Sequence, residues 1–254
     1  MESVDGRWLW SHNDSGNKAQ LIALNMAGGL IKNKTIANAE NVDWEDLAQD
    51  VQGNLYVGDV GDNGNTRDTL TIYRLEPTDA SDTVRADKIR FTYPSNHSTS
   101  EPDSNLHFDV EAMCVVRDSL WLFSKNRTKP YDGYTRIYRV PTQAGTYQAE
   151  FVDSLYLGKG THVKELEWVT SADISPDQQH LVLLTYRGLW IYSCWDDRPL
   201  ADGKVTKLAF TTISQKEAVC FVSPFEIYIT DEVTNKVLGG QLYRYDLKKW
   251  LQPC

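Results

Sequence analysis

A chain of 254 residues with 41% hydrophobic and 24% charged residues has the balance of an ordinary globular protein, and it is long enough to bury a large core in one domain. Its net charge of -9 argues against nucleic acid or an anionic membrane surface as a general partner and permits cation binding. No apolar run approaches the roughly 18 residues a membrane helix needs, and 13 Tyr and 8 Trp against 3 Met favour sheet over helix.

Taken in chain order, the predicted strands fall into sets. "ESV" (2–4), "WLWSHND", "LIALN" and "LIKNKTIA" form the first, and "EDLA" (45–48), "NLYVGDVGD", "LTIYRLE" and "KIRFTYP" the second. "EAMC" (111–114), "SLWLFSKN", "TRIYRVP" and "FVDSLYLG" follow, and then "ADIS" (172–175), "HLVLLTYR", "LWIYSCW" and "VTKLAFTT". The fifth set has "EAVC" (217–220), "EIYITDEV" and "QLYRYDL" but no clear fourth strand. Four short strands repeating with Gly, Asn, Asp and Pro between them predict an all-β fold, a single β-propeller of five four-stranded blades. The blades span approximately 1–42, 43–108, 109–169, 170–214 and 215–254. The ring then closes on a three-stranded last blade, with six blades as the alternative; a β-sandwich would lack the repeated four-strand phrase. Residues 94–105 and 126–135 are polar and read as loops on one face.

Within the second set, "NLYVGDVGDNGN" (54–65) is rich in oxygen-bearing side chains and glycine. An EF-hand loop starting at Asp59 would need an oxygen ligand and a glutamate where the chain has Gly61 and Leu70. Gly58, Gly61 and Gly64 lead into another strand, which excludes a dinucleotide fingerprint. The stretch reads as a strand ending at Asp59 and a turn, with Asp62 and Asn63 as reserve ligands.

The first strand of a blade lines the channel, and the end of the second lies beside its start. Aligning the sets places Glu2, Glu45, Glu111, Ala172 and Glu217 at the first position, and Asn13, Asp59, Ser124, Thr185 and Asp231 at the second. Set four departs from the pattern, with Ala172 for the glutamate and Asp173 one residue later. Carboxylates gathered in a partly dry channel must take up protons, meet Lys or Arg, or coordinate a cation. Oxygen ligands without a His or Cys cluster suit Ca²⁺ or Mg²⁺, making Glu2, Glu45, Glu111, Glu217, Asn13, Asp59 and Asp231 the candidate metal ligands. The competing reading is local pairing with Lys125, Arg127 or Arg187. Asp173, Lys125 and Arg187 are candidate ligand-binding groups.

His12, beside Asn13 and Asp14, is the candidate catalytic base, while His107 and His162 read as structural. No G-x-S-x-G elbow supports a serine hydrolase. Cys114 and Cys220 lie in apolar runs, Cys194 and Cys254 stand apart, and no C-x-x-C spacing exists, so buried free thiols are expected. Trp10, Trp44 and Trp121 are expected to pack between blades.

"LWSHNDSG", "DWEDLA", "LYVGDVGDNGNTR", "IYRL", "DVEAM", "TSADISPD" and "KEAVCF" together resemble a group of bacterial extracytoplasmic β-propeller proteins, loosely related to esterase-like phytase and NHL-type propellers. The resemblance covers nearly the whole chain and implies a periplasmic, secreted or surface-lipoprotein location. No export segment follows Met1, so any such segment is expected to lie outside this sequence. More distantly, the channel is similar to that of calcium-dependent lactonase and phosphotriesterase propellers, with Glu45, Glu111, Glu217, Asn13 and Asp59 as the nearest matches. Two functions follow. One is a monomer that binds a small molecule or protein on the channel face, with a Ca²⁺ or Mg²⁺ ion. The other is a metal-dependent hydrolase of an ester, lactone or phosphoester.

Overall fold

The computed structural model describes residues 8–76, 81–94, 105–159, 163–195, 198–233 and 239–251. It is a five-bladed β-propeller with almost no helix. Blade 1 contains β1 (Trp8–His12), β2 (Gln20–Asn25) and β3 (Leu30–Ile36). Blade 2 is built from β4 (Trp44–Gln49), β5 (Leu55–Asp59), β6 (Leu70–Leu75) and β8 (Asp87–Thr92). Blade 3 runs through β9 (Val110–Val116), β10 (Ser119–Ser124), β11 (Tyr134–Pro141) and β13 (Glu150–Tyr156). Blade 4 uses β14 (Val169–Ile174), β15 (His180–Thr185), β16 (Gly188–Ser193) and β17 (Lys204–Ala209). Blade 5 has three described strands, β18 (Lys216–Ser223), β19 (Glu226–Asp231) and β20 (Leu242–Asp246). The expected first strand of blade 1, with Glu2, lies outside the described residues.

Two further strands were not expected. β7 (Thr83–Val84) pairs in parallel with β3, and β12 (Gly145–Gln148) pairs in parallel with β8. Each crosses from one blade to cover the outer edge of the preceding one, which removes an unpaired edge.

The core lies between blades, which explains why the middle strands are apolar on both faces. In β15, Leu181 and Leu183 join the cluster shared with blade 3, while Val182 and Leu184 join the one shared with blade 5. Strand side chains alternate between faces, so a fully buried strand reads as a continuous apolar run. Trp10 and Trp44 sit in the cluster between blades 1 and 2, and Trp121 packs against the one between blades 3 and 4. Among the described residues no such cluster joins blade 5 to blade 1.

Cys114 and Cys220 are buried thiols outside any disulfide, but Cys194 is disulfide-bonded, a correction to the expected thiol. Among the described residues no helix is long and apolar enough to cross a membrane.

Candidate functional site

The first strands of four blades share one irregularity. In β9, Val110 faces Ser124 and Ala112 faces Phe123, leaving Glu111 as an extra residue. In β18, Lys216 faces Asp231 and Ala218 faces Thr230, leaving Glu217 extra. In β4, Trp44 faces Asp59 and Leu47 faces Val57, so Glu45 and Asp46 share one place. In β14 the extra residue is Thr170, between Val169 opposite Thr185 and Ser171 opposite Leu184. A bulge frees one residue from the ladder and re-aims its side chain. The repeated glutamates are therefore bulge residues, presented together at one end of the channel. The register also moves the blade 4 equivalent from Ala172 to Thr170, a residue with no carboxylate to reveal the match.

Glu45, Glu111 and Glu217 border a cavity of about 510 Å³ whose wall draws on blades 1, 2, 3 and 5, and which is lined among the described residues by eight carboxylate side chains and two basic ones, Lys125 and Arg127. Two overlapping acidic groups stand at its wall. Asp14, Asp43 and Glu45 bring carboxylate oxygens within 4.8 Å of one another, and so do Glu45, Asp109 and Glu111. The second group is partly compensated: Lys125 Nζ lies 2.5 Å from Glu111 Oε2, and Arg127 Nε donates to Asp109 Oδ2 at 2.7 Å. Both basic groups stack over the Trp168 ring, at 5.1 and 4.7 Å from its centre. Among the described residues no ion pair reaches the first group. Burial, and then the charges of Glu111, Asp109 and Asp43, push the Glu45 carboxyl far above the usual range. Asp43 is raised by burial and by Asp109 and Asp14. Glu111 is raised by burial against the pull of Lys125, and Glu217 by burial against a hydrogen bond from Tyr186. Such a set is short of positive charge, and its all-oxygen donors fit a hard divalent cation.

The loop after β5 closes one wall of the site. Gly61 donates its N–H to the Asp43 carbonyl, and a Cβ there would stand 2.6 Å from Asp43 Cγ and closer still to Glu45 Oε1 and Asp43 Oδ2. Asp62 orders the turn by accepting from the Thr66 and Arg67 amides, and its own amide donates to Asp109 at 2.8 Å. Asn63 lines the cavity and accepts from Arg127.

The other candidates are distributed as follows. Asp59 accepts from Arg67 at 2.8 Å and from the Asp43 amide at 3.0 Å, which makes it a buttress for Asp43. The Asn13 carbonyl accepts from Asn41. Asp231 borders the cavity but is engaged by the Gln241 amide and the Tyr243 hydroxyl. Glu217 accepts from Tyr186 at 2.7 Å. Arg187 pairs with Glu167 at 3.1 Å, and Asp173 lies deeper, accepting from the Phe221 amide at 2.7 Å. His12 borders the cavity edge-to-face with Trp44, with Nδ1 3.0 Å from the Asn13 carbonyl. Burial holds its pKa down, against the Asn13 and Glu45 carbonyls and Asp14. Asp43 and Asp109, which are not among the candidates the repeat alignment gives, carry a signal of their own: each stands two residues before a bulge glutamate, in "DWE" and "DVE". Asp14 carries a weaker signal, as the neighbour of His12.

Among solved structures, a periplasmic gluconolactonase of Pseudomonas aeruginosa superposes with a TM-score of 0.50 at 13% identity, over 94% of this chain and 66% of that one. A candidate 6-phosphogluconolactonase from Bacteroides uniformis gives 0.52 at 10% identity, over 92% of this chain and 62% of that one. The likeness is one of fold. This chain spans less than two thirds of the length of either protein. No protein-family model and no curated protein matches the sequence.

Proposed function

We propose that the channel mouth holds a divalent cation between Asp14, Asp43 and Glu45 and hydrolyses a lactone or a closely related ester. The observation that carries this reading is the pair of carboxylate groups sharing Glu45 at the wall of a solvent-sized cavity. The lactonases among the structural neighbours support the lactone class. When bound, the cation would supply Lewis acidity towards a carbonyl oxygen.

The chain's own residues would do the rest. His12, kept neutral mainly by burial, takes a proton from water as its oxygen bonds to the lactone carbonyl carbon. The ring C–O bond then breaks, and the leaving alkoxide oxygen receives that proton, giving a hydroxy acid. Lys125 and Arg127 offer positive charge to the new carboxylate while holding Glu111 and Asp109 in place. The disulfide at Cys194 suits an oxidising compartment and supports an extracytoplasmic location, as does the periplasmic neighbour.

The test is calcium titration followed by a panel of lactones, aryl esters and phosphoesters, on wild type and Glu45→Gln. Calcium-dependent turnover of a lactone, lost in a folded Glu45→Gln, is expected. Cation binding without turnover on any substrate would reduce the site to a binding module, and no cation binding at all would remove the reading.

A further inference from the structure

Among the described residues, β4, β9, β14 and β18 are edge strands of their sheets, and no strand pairs with their channel-facing edges. Two residues at one repeat position, immediately after the bulge, supply acceptors. Asp46 of β4 accepts from the Met113 amide of β9 at 3.0 Å and from the Ala172 amide of β14 at 3.3 Å. It also accepts from the Ser171 hydroxyl at 3.2 Å, and Ser171 accepts in turn from the Val219 amide of β18 at 3.1 Å. The equivalent residues in β9 and β18 are Ala112 and Ala218, which carry no acceptor. Asp46 and Ser171 thus tie four strands together at one level, fully buried or nearly so, at 5% and 0% exposure.

That level lies directly under the acidic site. Asp46 follows Glu45, Met113 lies two residues after Glu111, and Val219 two residues after Glu217. We propose that Asp46, with Ser171 as its relay, is a positioning residue that fixes the separation of the three bulge glutamates. Its consequence for cation affinity rests on the function proposed above; its consequence for glutamate position does not. The Leu47 amide also donates to Asp46, so every partner of Asp46 among the described residues donates to it, and an asparagine there would turn an N–H towards at least one amide N–H whichever way its amide lay.

The experiment compares Asp46→Asn, Ser171→Ala and, as a control, Asp173→Asn. Asp173 also ties β14 to β18, through Phe221, but one step further from the site. Two readouts are needed: terbium affinity by sensitised luminescence, and the ¹⁹F resonance of 3-fluorotyrosine at position 186, assigned with Tyr186→Phe. The Tyr186 hydroxyl donates to Glu217 at 2.7 Å, so this resonance reports the position of Glu217 without any cation. Asp46→Asn and Ser171→Ala are expected to move the Tyr186 signal, with Asp46→Asn weakening terbium binding about 10- to 100-fold; Asp173→Asn should leave both readouts unchanged. If Asp46→Asn does not fold, Ser171→Ala, which keeps the Met113 and Ala172 bonds, still reads the relay. A wild-type Tyr186 signal in the Asp46 and Ser171 variants, or equal changes in the control, would overturn the proposal. Absence of terbium binding by wild type would instead remove the cation reading, and the fluorine signal would still decide the positioning role.

Discussion

Gly61→Ala separates site geometry from fold stability. The backbone at Gly61 is not in the left-handed region, so alanine is conformationally allowed there. The added Cβ, however, would lie within 2.6 Å of Asp43 Cγ and nearer still to Glu45 Oε1, where ordinary contact begins at 3.4 Å. The Asp43 and Glu45 carboxylates must therefore withdraw by about 1 Å, and both are side-chain ends at the wall of an open cavity. Crowding of this kind costs roughly 1–3 kcal/mol where a core cannot yield, and the loss of glycine freedom in the unfolded chain returns about 0.4–1 kcal/mol. Because the neighbours can move, the net change in stability is expected to stay under about 1 kcal/mol. A metal ligand displaced by about 1 Å, in contrast, is expected to weaken calcium affinity by roughly 10- to 100-fold, the scale on which disturbed ligand positioning lowers metal affinity. Urea unfolding and calcium titration of the same preparation check the two effects separately. Wild-type calcium affinity in a folded Gly61→Ala would refute the placement of the cation between Asp43 and Glu45.

Further outcomes follow from the same geometry. Asp43 and Glu45 carboxyls, raised by burial and by neighbouring charge, must lose protons when a cation binds, so calcium should bind more tightly at pH 8 than at pH 6, with proton release seen by calorimetry in buffers of different ionisation enthalpy. Burial pushes Asp173 up from 3.8 to about 6 against the Phe221 and Ile174 amides. A raised carboxyl contributes stability below its unfolded value and loses it as pH rises through the folded one. That single group therefore removes up to roughly 3 kcal/mol between about pH 4 and 6, a dependence that urea unfolding should find flattened in Asp173→Asn. Leu183→Ala, in the cluster between blades 3 and 4, should cost roughly 2–5 kcal/mol by urea unfolding and leave calcium affinity unchanged.

The blades were legible because each repeats the same packing problem: apolar strands covered on both sides, separated by polar turns. β7 and β12 were not, because a short parallel edge strand depends on where one blade's loop meets its neighbour. The acidic ring was legible in Glu45, Glu111 and Glu217, the residues that the bulges turn towards the cavity. Thr170 was hidden because a bulge is defined by pairing across strands, which "VTSADIS" alone does not reveal. Asp59 drew attention by its setting in a glycine-rich stretch, yet Arg67, eight residues on, engages it. The disulfide at Cys194 gave no sequence signal, since isolated cysteines have no diagnostic spacing.

The most direct measurement is the hydrolysis rate of an aldonic acid lactone, followed by pH indicator, before and after chelation and again after calcium is restored. The account predicts turnover above the spontaneous rate that chelator abolishes, calcium restores and Glu45→Gln lacks. A rate equal to the spontaneous one in saturating calcium, or turnover indifferent to the chelator, would contradict it.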